Sequence, residues 1–229
     1  MKAPQKKHLL TGLLAVCAAQ WFAQFDFDSS FTSEYASKGR KTELGKPVPT
    51  KNKPNQEMEV LLNDPAISAG WGLKMTEAQK AWRISQGSRD IVVCVVDTGA
   101  DIHHPDLQNN LWVNKGEVGL DKLGRDKSTN GIDDDGNGFK DDVHGWNFVK
   151  NNNDLSDDHG HGTHIAGIIG AEGGNGIGIS GVSPKVSLMI LKYYDAKGSE
   201  MNNLANTVKA IDYAVHNNCN IINYSGGGI

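Results

Sequence analysis

Three cysteines and seven prolines are few for a chain of 229 residues, and neither type is evenly spread. Cys17 lies in an apolar N-terminal stretch, so a chain processed there keeps only Cys94 and Cys219, with no disulfide framework to read. Pro47, Pro49, Pro54 and Pro65 crowd into one polar segment without periodicity. Positive charge is not in excess. Lys and Arg number 23 against 27 Asp and Glu, a net charge of −4, which gives no basic footprint for a nucleic-acid partner. Long hydrophobic runs are missing too: the N-terminal "LLTGLLAVCAA" is too short for a stable membrane span.

What is present fits a globular protein. Hydrophobic residues make up 38% and charged ones 22%, and 27 glycines imply many turns. Lys2, Lys6 and Lys7 precede the short apolar stretch, which ends in small residues, the pattern of an export signal over residues 1–19. The expected location is therefore secreted, periplasmic or cell-surface. Residues 20–65 read as a linker or short pro-segment, and residues 66–229 as the folded domain.

Within that domain, apolar spacing at Met75, Ala78 and Trp82 with Gly87 as a stop predicts a helix over 75–87. "DIVVCVV" (90–96) and "VSLMILKYY" (186–194) are continuous apolar runs, the mark of strands buried on both faces. "CNIINYS" (219–225) is a third strand. "THIAGIIGA" predicts a buried helix, and residues 201–218 an amphipathic one with Leu204, Val208, Ile211 and Val215 on its apolar face. Alternation of strand and helix predicts an α/β fold with a parallel sheet and flanking helices. Stopping after about the third core strand would leave an unpaired edge, through which copies could associate.

Asp97 follows the first buried strand directly, in "VVDTGAD". Functional crevices of parallel α/β sheets lie at the carboxyl ends of strands, although an aspartate there can also simply cap a turn. "SDDHGHGTHIAGIIG" (156–170) then places His159, His161 and His164 within six positions. Two chemistries fit. The three histidines follow an H-x-H-x-x-H zinc pattern that resembles the metallo-β-lactamase-like hydrolases, but Thr163 stands where those carry an acid. Alternatively, one imidazole moves a proton while a carboxylate fixes its tautomer. His164 by itself is expected to be a satisfied core histidine.

Taken together, "VVDTGADIHHPDL", "HGHGTHIAG", "GVSP" and "IINYSGGG" resemble the subtilisin-like serine proteases, in the right order over about residues 71–229. The resemblance implies an α/β domain of subtilisin type and a peptidase acting on polypeptides. It matches Asp97 to the triad carboxylate and His161 to the general base, in the chain order of the template for this triad. It matches Ser225, Gly226 and Gly227 to the segment that pairs with the substrate main chain. It also decides against zinc. No "GTS" segment occurs, so the nucleophilic serine and the oxyanion asparagine are expected to be missing, and the chain alone to be inactive. Ser225 is a poor substitute, because Asn223 replaces the first glycine of a nucleophile elbow. The rival readings are a non-catalytic relative that binds calcium or peptide and, behind it, a zinc hydrolase using His159, His161 and His164.

"NGIDDDGNGFKDD" clusters hard oxygens that repel one another unless solvated or neutralised, and Ca²⁺ prefers such ligands. The expected ligands are Asp133, Asp135, Asn137, Asp142 and the carbonyl of Phe139. The resemblance implies a second calcium site from Asp106, Asn175 and the carbonyls of Gly173, Ile177 and Ile179. No organic cofactor is expected.

Overall fold

A computed structural model describes residues 63–196 and 200–226; the expected export signal, most of the expected linker and Gly227 lie outside them. In place of one helix over 75–87 there are two short ones, α1 (Trp71–Met75) and α2 (Ala78–Ala81). Glu77, at φ 54°, breaks them apart in the left-handed region. The break lets Leu73, Ala78 and Trp82 pack with Ile67 as a small separate core, while Met75 points to solvent. Trp82 Nε1 anchors this unit by donating to the Val182 carbonyl at 2.9 Å.

Four strands, β1 (Gly87–Asp97), β2 (Gly145–Asn147), β3 (Lys185–Lys192) and β4 (Ile221–Tyr224), form one parallel sheet in the order β2-β3-β1-β4. β1 and β3 run through the middle, and their alternate residues serve opposite faces. Val93, Val95, Leu188 and Ile190 meet Ile165 and Ala166 of α3 (His161–Gly170) on one face. Cys94, Val96, Met189 and Leu191 meet Ala210, Tyr213 and Ala214 of α4 (Glu200–His216) on the other. Burial on both faces explains why these strands read as unbroken apolar runs.

The stripe Leu204, Val208, Ile211 and Val215 faces outward, 39–66% exposed, while Thr207, Ala210, Tyr213 and Ala214 face the sheet. Small alanines let α4 approach closely, so the bulkier stripe is left on the far side. β2 was not foreseen. Three residues are too few for a periodic signal, and Gly145 is required there because a Cβ would sit 1.9 Å from the Ile190 carbonyl oxygen. Finally, Cys94 and Cys219 are disulfide-bonded across 125 residues, because the α4 crossover returns the chain to pair β4 with β1 beside Cys94.

Candidate active site

Asp97 is the last residue of β1, and His161 is the first of α3. The sheet delivers the carboxylate to the carboxyl ends of the strands, and α3 starts directly above it. His161 Nδ1 lies 2.8 Å from Asp97 Oδ1 and 3.0 Å from Oδ2, although 64 residues separate the two. Only the ring can supply the proton in this pair, so Nδ1–H donates and Nε2 is the basic atom. Asp97 is buried, with 4% of its side chain exposed, and also accepts the Thr98 N–H at 2.7 Å. His161 keeps 41% of its side chain exposed, enough for a substrate to reach the ring. Gly162 makes the approach possible: a Cβ there would come within 2.1 Å of the Gly99 carbonyl oxygen and 3.1 Å of Asp97 Cβ.

His164 is exposed one turn along α3, not a core residue, and His159 stacks edge-on to His161 with ring centroids 6.1 Å apart. The three histidines do not converge on a point. Ser225 follows the Val96–Tyr224 pair of the β1/β4 ladder, level with Asp97, and accepts from Asn223 Nδ2 at 2.7 Å. Gly226 runs so close to Tyr193 that a Cβ would lie 2.1 Å from its hydroxyl.

The acidic loop is organised by two buried carboxylates. Glu117, which no local pattern in the sequence singles out, accepts N–H groups of Asp134, Asp135 and Asp141 at 2.7, 3.1 and 3.0 Å. Burial pushes its carboxyl above the ordinary range, and those three donors pull only part of the way back. Asp142 is also raised by burial; Tyr213, Asn114 and Asn137 donate to it at 2.5, 2.8 and 3.0 Å. Burial and then the Asp142 charge hold the Tyr213 hydroxyl far above its ordinary value. For Asp133, burial is outweighed by N–H donors from Gly138, Gly136 and Asn137, and its carboxyl is lowered. Among the described residues, Glu117, Asp133 and Asp135 alone bring ligand oxygens of three such side chains within 4.8 Å of one another. Asn137 Oδ1 accepts the Phe139 N–H at 2.8 Å, and the Phe139 ring packs on Trp146, Phe148 and Tyr213.

At the second predicted site, Asp106 accepts from Asn175 Nδ2 and the Ile179 N–H at 2.8 and 2.9 Å. Asp64, assigned to the linker from its proline-broken surroundings, is buried here and accepts from the N–H groups of Gly174 and Gly176 and from Ser180 Oγ. Gly173 and Ile177 belong to the same loop.

The sequence profile of the subtilase family (peptidase S8) matches residues 88–228. The chain belongs to the subtilase family. It is 39% identical over 177 residues to subtilisin-like protease 1 of Plasmodium berghei (strain Anka), covering 76% of this chain and 28% of that protein. Identity to subtilisin-like protease 1 of Plasmodium vivax is 38% over 210 residues, covering 91% and 31%. The major intracellular serine protease of Bacillus subtilis (strain 168) is 35% identical over 157 residues, covering 69% and 40%. The chain thus spans 28–40% of the length of these relatives. In this subtilase chain the profile includes Asp97, His161 and the acidic loop, whereas Asp64 lies before it.

Proposed function

We propose that this chain carries the proton-transfer half of a serine endopeptidase that cleaves polypeptides. The observation that supports it most is the Asp97–His161 hydrogen bond at the carboxyl end of the parallel sheet. An imidazole whose Nδ1–H is held by a buried carboxylate offers Nε2 as a base. In the proposed reaction Nε2 takes the proton of a serine hydroxyl as its oxygen attacks the peptide carbonyl carbon. The C–N bond then breaks as the imidazolium returns that proton to the leaving amine, and water hydrolyses the acyl-enzyme by the same steps. Asp97 holds the tautomer and stabilises the imidazolium. Among the described residues β4 is an edge of the sheet, and Ser225 and Gly226 continue it; with Gly227 next in sequence, this segment would pair with an extended peptide by strand addition.

The family's "GTS" segment is not among these 229 residues. We infer that the chain by itself does not turn over peptides, since acyl transfer needs an activated hydroxyl and oxyanion donors. The test is fluorophosphonate labelling and peptide hydrolysis, with the 229-residue chain beside the longest product of its gene. The longest product should label at one serine and lose about 10⁴-fold or more in rate with His161→Ala. No labelling and no turnover in it would leave a peptide- or calcium-binding relative. Stoichiometric labelling of Ser225 in the short chain would overturn the inference about the fragment.

Calcium is proposed at the acidic loop. Each carboxylate oxygen can accept an N–H and still ligate, so the bonds that shape the loop leave Glu117, Asp133 and Asp135 able to hold a hard cation, with Asn137, Asp142 and the Phe139 carbonyl beside them. The same reading extends to residues 173–179. There Asp64 and Asp106 are buried carboxylates with no cationic side chain bonded to either among the described residues. The carbonyls of Gly173, Ile177 and Ile179 and the Asn175 side chain would complete the oxygen set. Export is proposed as well, and the Cys94–Cys219 disulfide supports an oxidising compartment. No described helix is long and apolar enough to cross a membrane.

A further inference from the structure

We propose that Asp157 is a positioning residue for the Asp97–His161 pair, holding the start of α3 against the end of β1 so that His161 Nδ1 stays on Asp97. The proposal rests on the protease reading of the site.

Asp157 lies four residues before His161 and outside both elements, yet its carboxylate gathers five donors. Oδ1 accepts Thr98 Oγ1–H at 2.8 Å, the Gly160 N–H at 2.9 Å and the His159 N–H at 3.2 Å. Oδ2 accepts the Thr163 N–H at 2.8 Å and Thr163 Oγ1–H at 2.6 Å. Free N–H groups of a helix's first turn attract a negative acceptor, and Gly160, which precedes α3, has no side chain to provide one.

The two hydroxyls make this more than a cap. Thr98 Oγ1–H donates to Asp157 while Oγ1 accepts the Gly162 N–H at 2.9 Å. Thr163 Oγ1–H donates to Asp157 while Oγ1 accepts the Asp101 N–H at 3.0 Å. Each hydroxyl has one proton and is polarised the same way: Thr98 and Thr163 each bridge the segment after β1 to α3, and the one Asp157 carboxylate accepts from both and ties the two bridges together. Thr98 and Gly162 are the direct neighbours of Asp97 and His161. A displacement of α3 along β1 would therefore strain both bridges together with the Asp97–His161 bond. Burial would raise the Asp157 carboxyl, but donors from Thr163, Thr98 and Gly160 outweigh it and the carboxyl is lowered, as expected of a charged hub.

The test reads the His161 Nδ1–H proton by NMR in the 229-residue chain, a readout independent of peptide hydrolysis. Thr98→Val removes one bridge without touching the α3 first-turn donors of Thr163 and Gly160; Thr98→Ser keeps it. Asp157→Asn keeps the Oδ1 acceptor but sets an NH₂ against the Thr163 donors. Exchange of the His161 proton with water should accelerate about tenfold or more in Thr98→Val and Asp157→Asn, and stay near wild type in Thr98→Ser. If both variants leave exchange within about twofold of wild type, Asp157 only caps a helix and the proposal fails. Should Asp157→Asn not fold, Thr163→Val, which loses a hydroxyl donor to Asp157 while Thr98 still accepts the Gly162 N–H, takes its place beside Thr98→Val. In the longest gene product, the same variants should lower kcat with KM unchanged. A product without any turnover would sink the protease reading while the exchange result still judged the positioning role.

Discussion

Individual side chains in this site are set by what their neighbours can donate. Asp97 accepts from N–H groups and Asp157 from both N–H and O–H groups, and each fixes a different partner: the first an imidazole, the second a helix start. That predicts a specific acid response. Because its folded carboxyl is lowered from the ordinary 3.8, Asp157 contributes stability that is fully present above that value. As pH falls through the lower folded value, the native state must take up a proton against its donors, and the contribution is lost. Urea titrations between about pH 2 and pH 7 should show Asp157→Asn costing roughly 1–3 kcal/mol at the upper end and converging with wild type at the lower. A constant offset across that range would mean the charge of Asp157 is irrelevant to its role.

At the scale of elements, helix and strand edges are more telling than their interiors. α4 buries alanines and one hydrogen-bonded tyrosine, and shows Met201, Leu204, Val208, Ile211 and Val215 to solvent. Among the described residues β4 beside it is a sheet edge, with Ile221 and Tyr224 exposed. Contiguous apolar surface next to unpaired backbone groups favours association. The 229-residue chain is therefore expected to self-associate in sedimentation runs. Leu204→Glu combined with Val208→Glu should weaken that association roughly tenfold or more, from the loss of buried side-chain area. Folding stability should change by less than about 1 kcal/mol, since both residues are already exposed. A monomeric wild-type chain would refute the expectation outright.

Across the whole molecule, the acidic loop is a joint between distant parts. Glu117 holds it from one side, and Asp142 ties it to Tyr213 of α4, on the sheet face where the loop's Phe139 also packs. A cation bound there would stabilise the assembled domain rather than a local turn. Calcium in large excess over its dissociation constant should raise stability by about 2–4 kcal/mol, with a matching rise in Tm. Asp133→Asn with Asp135→Asn should remove most of that gain. A Tm indifferent to both calcium and chelator would reduce the loop to a solvated turn. The Cys94–Cys219 disulfide closes a comparable long-range link through the α4 crossover.

The sequence by itself determined whatever depends on local pattern. Buried strands appear as apolar runs at β1 and β3, the start of α3 is marked by "HGTH", and the order of Asp97 and His161 follows from motifs each carried by a few adjacent residues. Only the tertiary structure decided which surfaces and side chains meet. Helical periodicity announces a stripe on α4 but not whether a sheet covers it, so the bulky face proved to be the exposed one. Glu117 and Asp64 carry no local mark, because their partners lie 17 or more residues away at the nearest and are brought in by chain crossings. Cys94 and Cys219 meet for the same reason. Periodicity records the short-range geometry of one element, whereas ligand sets, disulfides and clamps such as Asp157 depend on the packing of several.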